Sequence, residues 1–205
     1  MDKRRTSLIK RRYNRVAGVY DYLDAPMELL AFKKYRGKVL NEVSGKTLEI
    51  GIGTGKNLEF YPDDADITAI DFSEKMLERA EKRADKLQKN VKLYQMDVQD
   101  LDFEDDVFDS AFSTCVFCSV PDPVEGLKEV KRVLKPGGQL ILLEHVLSDY
   151  RLIKPLMNLF NPVTVRLWGA NINRKTSENV KKAGFKNISV KNLSLDIVKL
   201  IKAEA

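Results

Sequence analysis

The 205-residue sequence predicts an α/β fold: a doubly wound, seven-stranded and mostly parallel sheet closed at one edge by an antiparallel C-terminal pair. Three observations carry this. From Thr47 onward, short apolar and β-branched runs alternate with charged segments of helical period. The first run, "TLEIGIGTGKNLEFY" at 47–61, passes into a loop with glycine at alternate positions: Gly51, Gly53 and Gly55. The last stretch, "NISVKNLSLDIVKLIKA" at 187–203, holds two extended runs with no helical pattern between them, which is the signature of a hairpin pair and not of another crossover.

Size and composition bound the rest. With 43% hydrophobic and 32% charged residues, the chain suits one globular domain with a core of its own. Apolar runs such as Leu140 to Leu143 are too short to span a bilayer, and residues 1–15 form a basic cluster unlike a signal peptide, so a cytoplasmic protein is expected. The net charge of +5 is unevenly spread: seven basic residues and one acid in 1–15, seventeen and twenty-six in 16–149, and eleven and three in 150–205. Basic ends on an acidic body are ordinary solvated surface or a face that meets an anionic membrane or an acidic substrate. Nucleic acid is not expected, because the basic stretches lack interleaved aromatics and zinc-finger spacing is absent.

The elements follow in order. Residues 1–45 are helical and form a cap. The strands are "KTLEIGIG" (46–53), "ITAIDFS" (67–73), "VKLYQMDV" (91–98), "FDSAFSTCVF" (108–117) and "QLILLEHV" (139–146), with helical patterns between them. Ser73 is the expected N-cap of "SEKMLERAEKRADKL"; Pro123 lies in the first turn of "DPVEGLKEVKRVL", which "KPGG" at 135–138 ends with a turn. Residues 46–148 thus form the ligand-binding core, 149–176 an apolar insertion, and 177–205 a terminal helix and strand pair. Cys115 and Cys118 fall in the fourth strand pattern, where side chains three apart point to opposite faces. That disfavours a disulfide or a shared metal, leaves the thiols as core or pocket wall, and no metal site is expected.

In such a sheet, ligands bind beyond the carboxyl ends of the strands, where the first strand–helix turn meets them. Bare backbone at 51–55 allows close approach of a ligand, and Asp71, about twenty residues on, is placed to accept hydrogen bonds from ribose hydroxyls. A dinucleotide fingerprint would place its third glycine where Lys56 stands, and a phosphate-cradling loop would need Ser or Thr where Asn57 stands. Both phosphate readings are imperfect.

The successive stretches "LEIGIGTG", "AIDFSEKML", "YQMDVQDLDFEDDVFD" and "VKRVLKPGGQLILLEH" resemble the motifs of class I S-adenosylmethionine-dependent methyltransferases, with a Rossmann-like fold, of the quinone- and lipid-modifying type. The resemblance covers about residues 13–190. It implies S-adenosyl-L-methionine as cofactor and S-adenosyl-L-homocysteine as product. Gly51, Gly53 and Gly55 then pass under the methionine part, Asp71 holds the ribose, Phe72 and Met76 flank the adenine, and Asp97 with Val98 meets its edge. Glu49, Asn57, Met96 and Thr114 join the cofactor set, and Tyr13 and Tyr20, seven apart, close over it from the cap. Cys115, Phe160 and Trp168 are the expected substrate pocket.

Methyl transfer from a sulfonium mainly requires alignment and exclusion of water, and a base is optional. His145, the one histidine, ends the fifth strand as a candidate base or orienting group; a hydrogen-bonded rim histidine is the plain alternative. The wording around "FCSVPDPVEGLKEVKRVLKPGGQLILLEHV" is further similar to the methyltransferase-like thiol S-methyltransferases. An alkyl thiol is accordingly the favoured acceptor, beside a phospholipid amine or a quinone carbon at a membrane surface. A cofactor-binding protein without catalysis and a dinucleotide oxidoreductase are the other classes a glycine loop admits.

Overall fold

The computed structural model describes residues 3–205, apart from the side chains of Lys3, Met27, Leu30, Ala31, Leu167 and Trp168. The helical N-terminal part comprises α1 (Lys3–Val16), α2 (Tyr20–Met27), a π-helical turn (Glu28–Phe32) and α3 (Lys33–Leu40). The sheet follows as β1 (Thr47–Ile50), β2 (Ile67–Asp71), α4 (Glu74–Leu87), β3 (Lys92–Gln95), β4 (Phe108–Thr114), α5 (Pro123–Val133) and β5 (Leu134–His145). The chain ends with α6 (Ile153–Trp168), α7 (Thr176–Lys182), β6 (Lys186–Ser194) and β7 (Val198–Glu204).

The seven strands run in the order β3-β2-β1-β4-β5-β7-β6; the first five are parallel, and β7 is antiparallel to both β5 and β6. Strand order reverses between β1 and β4, which puts the glycine loop and the end of β4 at the switch point where this architecture opens a crevice. Central strands β1 and β2 are buried along their whole length, as apolar strands covered on both faces must be.

Two crossovers depart from the expected strand–helix–strand rhythm. Between β1 and β2 there is only a 3₁₀ turn at Leu58–Phe60, and the β3–β4 connection carries no helix. The uncovered face is filled from the N-terminus instead: Tyr35, Val39 and Leu40 of α3 join Ala80 and Ala84 of α4 in one core layer over Phe112, Ile141 and Leu143. The opposite layer packs Leu127 and Val130 of α5 and Val180 of α7 on Leu48, Ile70, Leu140 and Leu142. Part of the expected cap is therefore a structural layer of the sheet.

Local signals act as read at α4, where Ser73 Oγ accepts from the Met76 N–H, and at α5, where Asp122 caps ahead of Pro123. The stop of α5 differs. Lys135 precedes Pro136 and is pushed to extended backbone, so "KPGG" belongs to the start of β5 instead of forming a separate turn. α6 runs through Pro155, in its first turn, and through Pro162, which removes one backbone hydrogen bond without ending the helix. No helix among the described residues is long and apolar enough to cross a membrane.

Candidate active site

A cavity of about 430 Å³ opens beyond the carboxyl ends of the strands, within the range of small-molecule sites. Its lining is distributed by strand order. Met96, Asp97 and Val98 follow β3; Asp71 ends β2, with Phe72 and Met76 after it; Gly51, Ile52, Gly53 and Thr54 follow β1; Thr114 ends β4, with Cys115 and Val116 after it; and His145 ends β5. Tyr13 and Tyr20 cover it from α1 and α2.

Backbone geometry at the loop follows from its glycines. Gly51 sits at φ +67°, and a Cβ there would lie 2.5 Å from Val116 Cγ2; Gly55, at φ +80°, faces Leu58 and the backbone of Ala80 in α4. Gly51 and Gly53 line the cavity, whereas Gly55 does not: its role is close packing of the loop on α4. Asp71 is buried, with Oδ2 accepting from the Gly53 N–H at 2.9 Å and Oδ1 from the Ser73 N–H at 2.8 Å. Burial pushes its carboxyl up to about 6, against the pull of those backbone donors.

Glu49 and Asn57 lie behind the cavity wall. Asn57 Nδ2 donates to Glu49 Oε1 at 2.6 Å and to Thr114 Oγ1 at 3.0 Å, and Tyr61 donates to the other Glu49 oxygen. This buried chain, in which burial raises Glu49 to about 8, ends on Arg36: its Nη1 donates to Asn57 Oδ1 and Thr114 Oγ1, both at 2.7 Å. Neither residue faces the cavity; both hold Arg36, which does.

The helices of the cap are fastened across the opening. Tyr13 Oη and Ser119 Oγ are 2.6 Å apart, Ser73 Oγ donates to Asn14 Oδ1 at 2.6 Å, and the Tyr13 ring meets Phe72 edge-on with centroids 5.7 Å apart. The helix breaks between Val16 and Tyr20, so the two tyrosines do not share one continuous helical face; their rings nevertheless lie 6.1 Å apart.

Three placements correct the sequence reading. β4 stops at Thr114, Cys115 takes the left-handed φ of +58°, and residues 116–119 turn, so Cys115 and Cys118 both line the cavity instead of pointing to opposite faces. Both thiols are free, and burial pushes Cys118 up to about 12, which suits a wall and not a nucleophile. Phe160 is 54% exposed on the outer side of α6, which presents Thr164 to the cavity. The side chain of Trp168 lies outside the described residues.

His145 lines the cavity, its Nδ1 is buried without a hydrogen-bond partner among the described residues, and burial lowers its pKa, so the ring is neutral at pH 7. Its neighbour Glu144 is fully buried: Oε1 accepts from the Val116 and Phe117 N–H groups at 3.0 and 3.2 Å and from Ser113 Oγ at 3.0 Å, fixing the loop after β4. Sequence reasoning missed Asp24, Glu28, Arg36 and Lys56, which also line the cavity. Lys56 was visible as the residue in place of a third glycine, but its partners on α2 lie about thirty positions away and carry no local signal.

The fold and site bring an apolar slot, a buried acid and a bare glycine loop together beyond the carboxyl ends of the strands, the place where an α/β sheet of this kind receives a small-molecule cofactor. Comparison with known proteins agrees. Residues 48–142 match the methyltransferase domain family. A phosphatidylethanolamine N-methyltransferase of Cereibacter sphaeroides is 33% identical over 143 residues, 69% of this chain and 70% of that protein. A thiol S-methyltransferase of Rattus norvegicus is 31% identical over 192 residues, 83% of this chain and 77% of that one. Among solved structures, a Thermotoga maritima S-adenosylmethionine-dependent methyltransferase described as a possible histamine N-methyltransferase superposes with a TM-score of 0.73 at 21% identity, covering 95% and 98% of the two chains. The chain belongs to the class I S-adenosylmethionine-dependent methyltransferases and is an enzyme of that class.

Proposed function

We propose that this methyltransferase acts on a small, neutral, apolar acceptor, with an alkyl thiol as the preferred class. The observation that carries the reading is the charge state of the acceptor end. Leu23, Phe32, Val116 and Ile172 give it an apolar lining, and its two lid carboxylates are already paired: Asp24 with Lys56 and Glu28 with Arg36. An ammonium acceptor would find no unpaired carboxylate among the described lid residues, whereas a neutral thiol needs none.

The cofactor supplies an electrophilic methyl group on a sulfonium, ready for in-line displacement. The chain's residues supply position and dryness. In this reading Asp71 takes the ribose, Phe72, Met76, Met96 and Val98 form the adenine slot, and α1 and α2 exclude water through the Tyr13–Ser119 and Asn14–Ser73 contacts. His145, neutral at pH 7, serves as proton acceptor or orienting group for the thiol, whose proton leaves more easily than that of an alcohol.

One observation favours a second acceptor class, a phospholipid amine at an anionic surface. Leu152, Leu156, Leu159, Phe160 and Val163 form an exposed apolar stripe on and just before α6. Arg12 Nη1 donates to the Val165 carbonyl at 2.6 Å and ties this stripe to the basic helix α1, which has no acid in its first turn. Labelled methyl groups from S-adenosylmethionine, offered to soluble alkyl thiols and to vesicles of aminophospholipid and reduced quinone, separate the readings. Label in the thiol fraction supports the first; label confined to the vesicles replaces it with the second.

A further inference from the structure

The outer face of α6 is more apolar than its inner one. Toward the protein it turns Met157, Asn161 and Thr164, spaced four and three apart. Asn161 is fixed there: its Oδ1 accepts from the Ile172 N–H at 2.9 Å, and its Nδ2 donates to Asn171 Oδ1 at 3.4 Å. Toward solvent α6 turns Leu156, Leu159 and Val163, with Leu152 just before the helix and Phe160 beside them; Leu152 and Leu159 are 82% and 70% exposed. A surface helix at rest in water has the reverse pattern. A contiguous apolar stripe of this kind marks a surface that is covered in function.

The stripe is placed at the site. Thr164, Asn171 and Ile172 line the cavity, so α6 and the segment after it form a wall of the acceptor end, and the stripe is the far side of that wall. Beside it packs α1: Arg12 Nη1 donates to the Val165 carbonyl, and Ile9 lies against Gly169 at the end of α6. On the cap over the same cavity, α2 with the residue before it and the π-helical turn expose Val19, Tyr22 and Leu29. Among the described residues, most large apolar side chains left in water thus belong to the elements that cover the cavity, and few to the sheet.

Charge selects what covers the face. Residues 3–16, the whole of α1, hold seven basic residues and no acid, and 150–177, which contain α6, hold five and none. Leu8, Arg11 and Arg15 are exposed on one side of α1, and Arg151 and Arg166 are exposed at the two ends of the α6 stripe. Two copies of the chain meeting through this face would bring those like charges together, which opposes a dimer. An aliphatic stripe offers the bases of a nucleic acid nothing to stack on. A bilayer with anionic headgroups satisfies both features, taking the aliphatic side chains into its interface and the guanidinium groups at its headgroups. With 16 residues α6 is about 24 Å long, and no helix among the described residues is long and apolar enough to cross a membrane, so the fitting mode is to lie in the surface.

We infer that the outer face of α6, with the basic side of α1, docks on an anionic lipid bilayer and holds the acceptor end of the cavity against it. An apolar thiol concentrates in hydrocarbon as a lipid does, so the inference deepens the proposed function without depending on which acceptor is methylated, and its test reads binding alone. The full chain is sedimented with vesicles of phosphatidylglycerol and phosphatidylcholine, neither of which carries a methylatable amine, and with vesicles of phosphatidylcholine alone. It should bind the anionic vesicles at least about tenfold more tightly than the neutral ones, and more weakly as salt is raised. Leu156→Asn with Leu159→Asn should weaken that binding at least about tenfold, and Arg11→Gln with Arg15→Gln by roughly 10- to 30-fold. Neither pair lines the cavity, so S-adenosylhomocysteine affinity should stay within about twofold in both, the control for folding. No sedimentation with anionic vesicles, or sedimentation that neither pair of substitutions weakens, overturns the inference. A dimer in lipid-free solution that Leu156→Asn with Leu159→Asn dissociates would overturn it too, by assigning the stripe to a second copy. An enzyme that binds vesicles yet methylates no thiol refutes the acceptor reading alone, so the two claims fail separately.

Discussion

The backbone N–H of Gly53 donates to Asp71 Oδ2 across 2.9 Å, joining the loop after β1 to the acid that ends β2. The loop and the acid are therefore one structural unit, and disturbing either changes the other. Asp71→Asn keeps the shape but replaces an ionised acceptor with a neutral amide. S-adenosylhomocysteine affinity should fall by roughly 10- to 100-fold, read by calorimetry. Unchanged affinity would remove Asp71 from the ribose.

The same acid gives a pH dependence. Burial raises the Asp71 carboxyl to about 6, and under the proposed ribose assignment the ionised form is the one that accepts its hydroxyls. S-adenosylhomocysteine affinity should be flat above about pH 7 and weaken below pH 6, by up to about tenfold per unit. For the free protein the sign is opposite. An acid whose folded pKa lies above its unfolded value of 3.8 opposes folding as it ionises, so its contribution to stability declines as pH rises from about 4 to about 6. Calorimetry across pH 5–8, with Asp71→Asn as the control that flattens the curve, checks both signs.

The lid contact between Tyr13 and Ser119 should behave as a coupled pair. Tyr13→Phe removes the hydroxyl but keeps the ring against Phe72, and a single buried hydrogen bond is worth about 1 kcal/mol. Each of Tyr13→Phe and Ser119→Ala should raise the cofactor KM by roughly fivefold, and the double variant no further. Additive losses would mean that the two hydroxyls act separately.

His145→Gln tests the role of the neutral imidazole. With thiol acceptors kcat/KM should drop by about 10²- to 10⁴-fold if the ring takes the proton, and the acid limb of the rate profile, expected below the ordinary histidine range because burial lowers the pKa, should disappear. An unaltered profile and turnover would leave His145 as a rim residue.

Gly51→Ala should lower stability by about 1–3 kcal/mol, through its φ of +67° and the 2.5 Å approach to Val116. Val116→Ala in the same chain should restore only the steric part. Chemical denaturation measures both.

The sheet, the glycine loop, Asp71 and the cap of α4 were legible because each is written in a short window: alternation, bare backbone, an acid after a strand, a serine before a helix. What escaped was non-local or depended on orientation. Composition marked Phe160 as apolar, but only packing decides that α6 turns Met157 inward and Phe160 outward. The left-handed Cys115 ends β4 one residue after Thr114, and nothing in "FSTCVFCSV" marks that stop. Asp24, Glu28 and Arg36 read as ordinary helix charges until folding carries α2 and α3 to the glycine loop. The missing helix after β1 was filled by α3, whose apolar face gave no sign of which layer it joins.

The most direct test of the acceptor reading is the specificity constant along a series of straight-chain alkyl thiols. Burial in the apolar end should raise kcat/KM about three- to fourfold per added methylene, following about 0.8 kcal/mol each, until the cavity is filled. A flat series, or faster methylation of aminophospholipid vesicles than of any thiol, would contradict a neutral apolar acceptor.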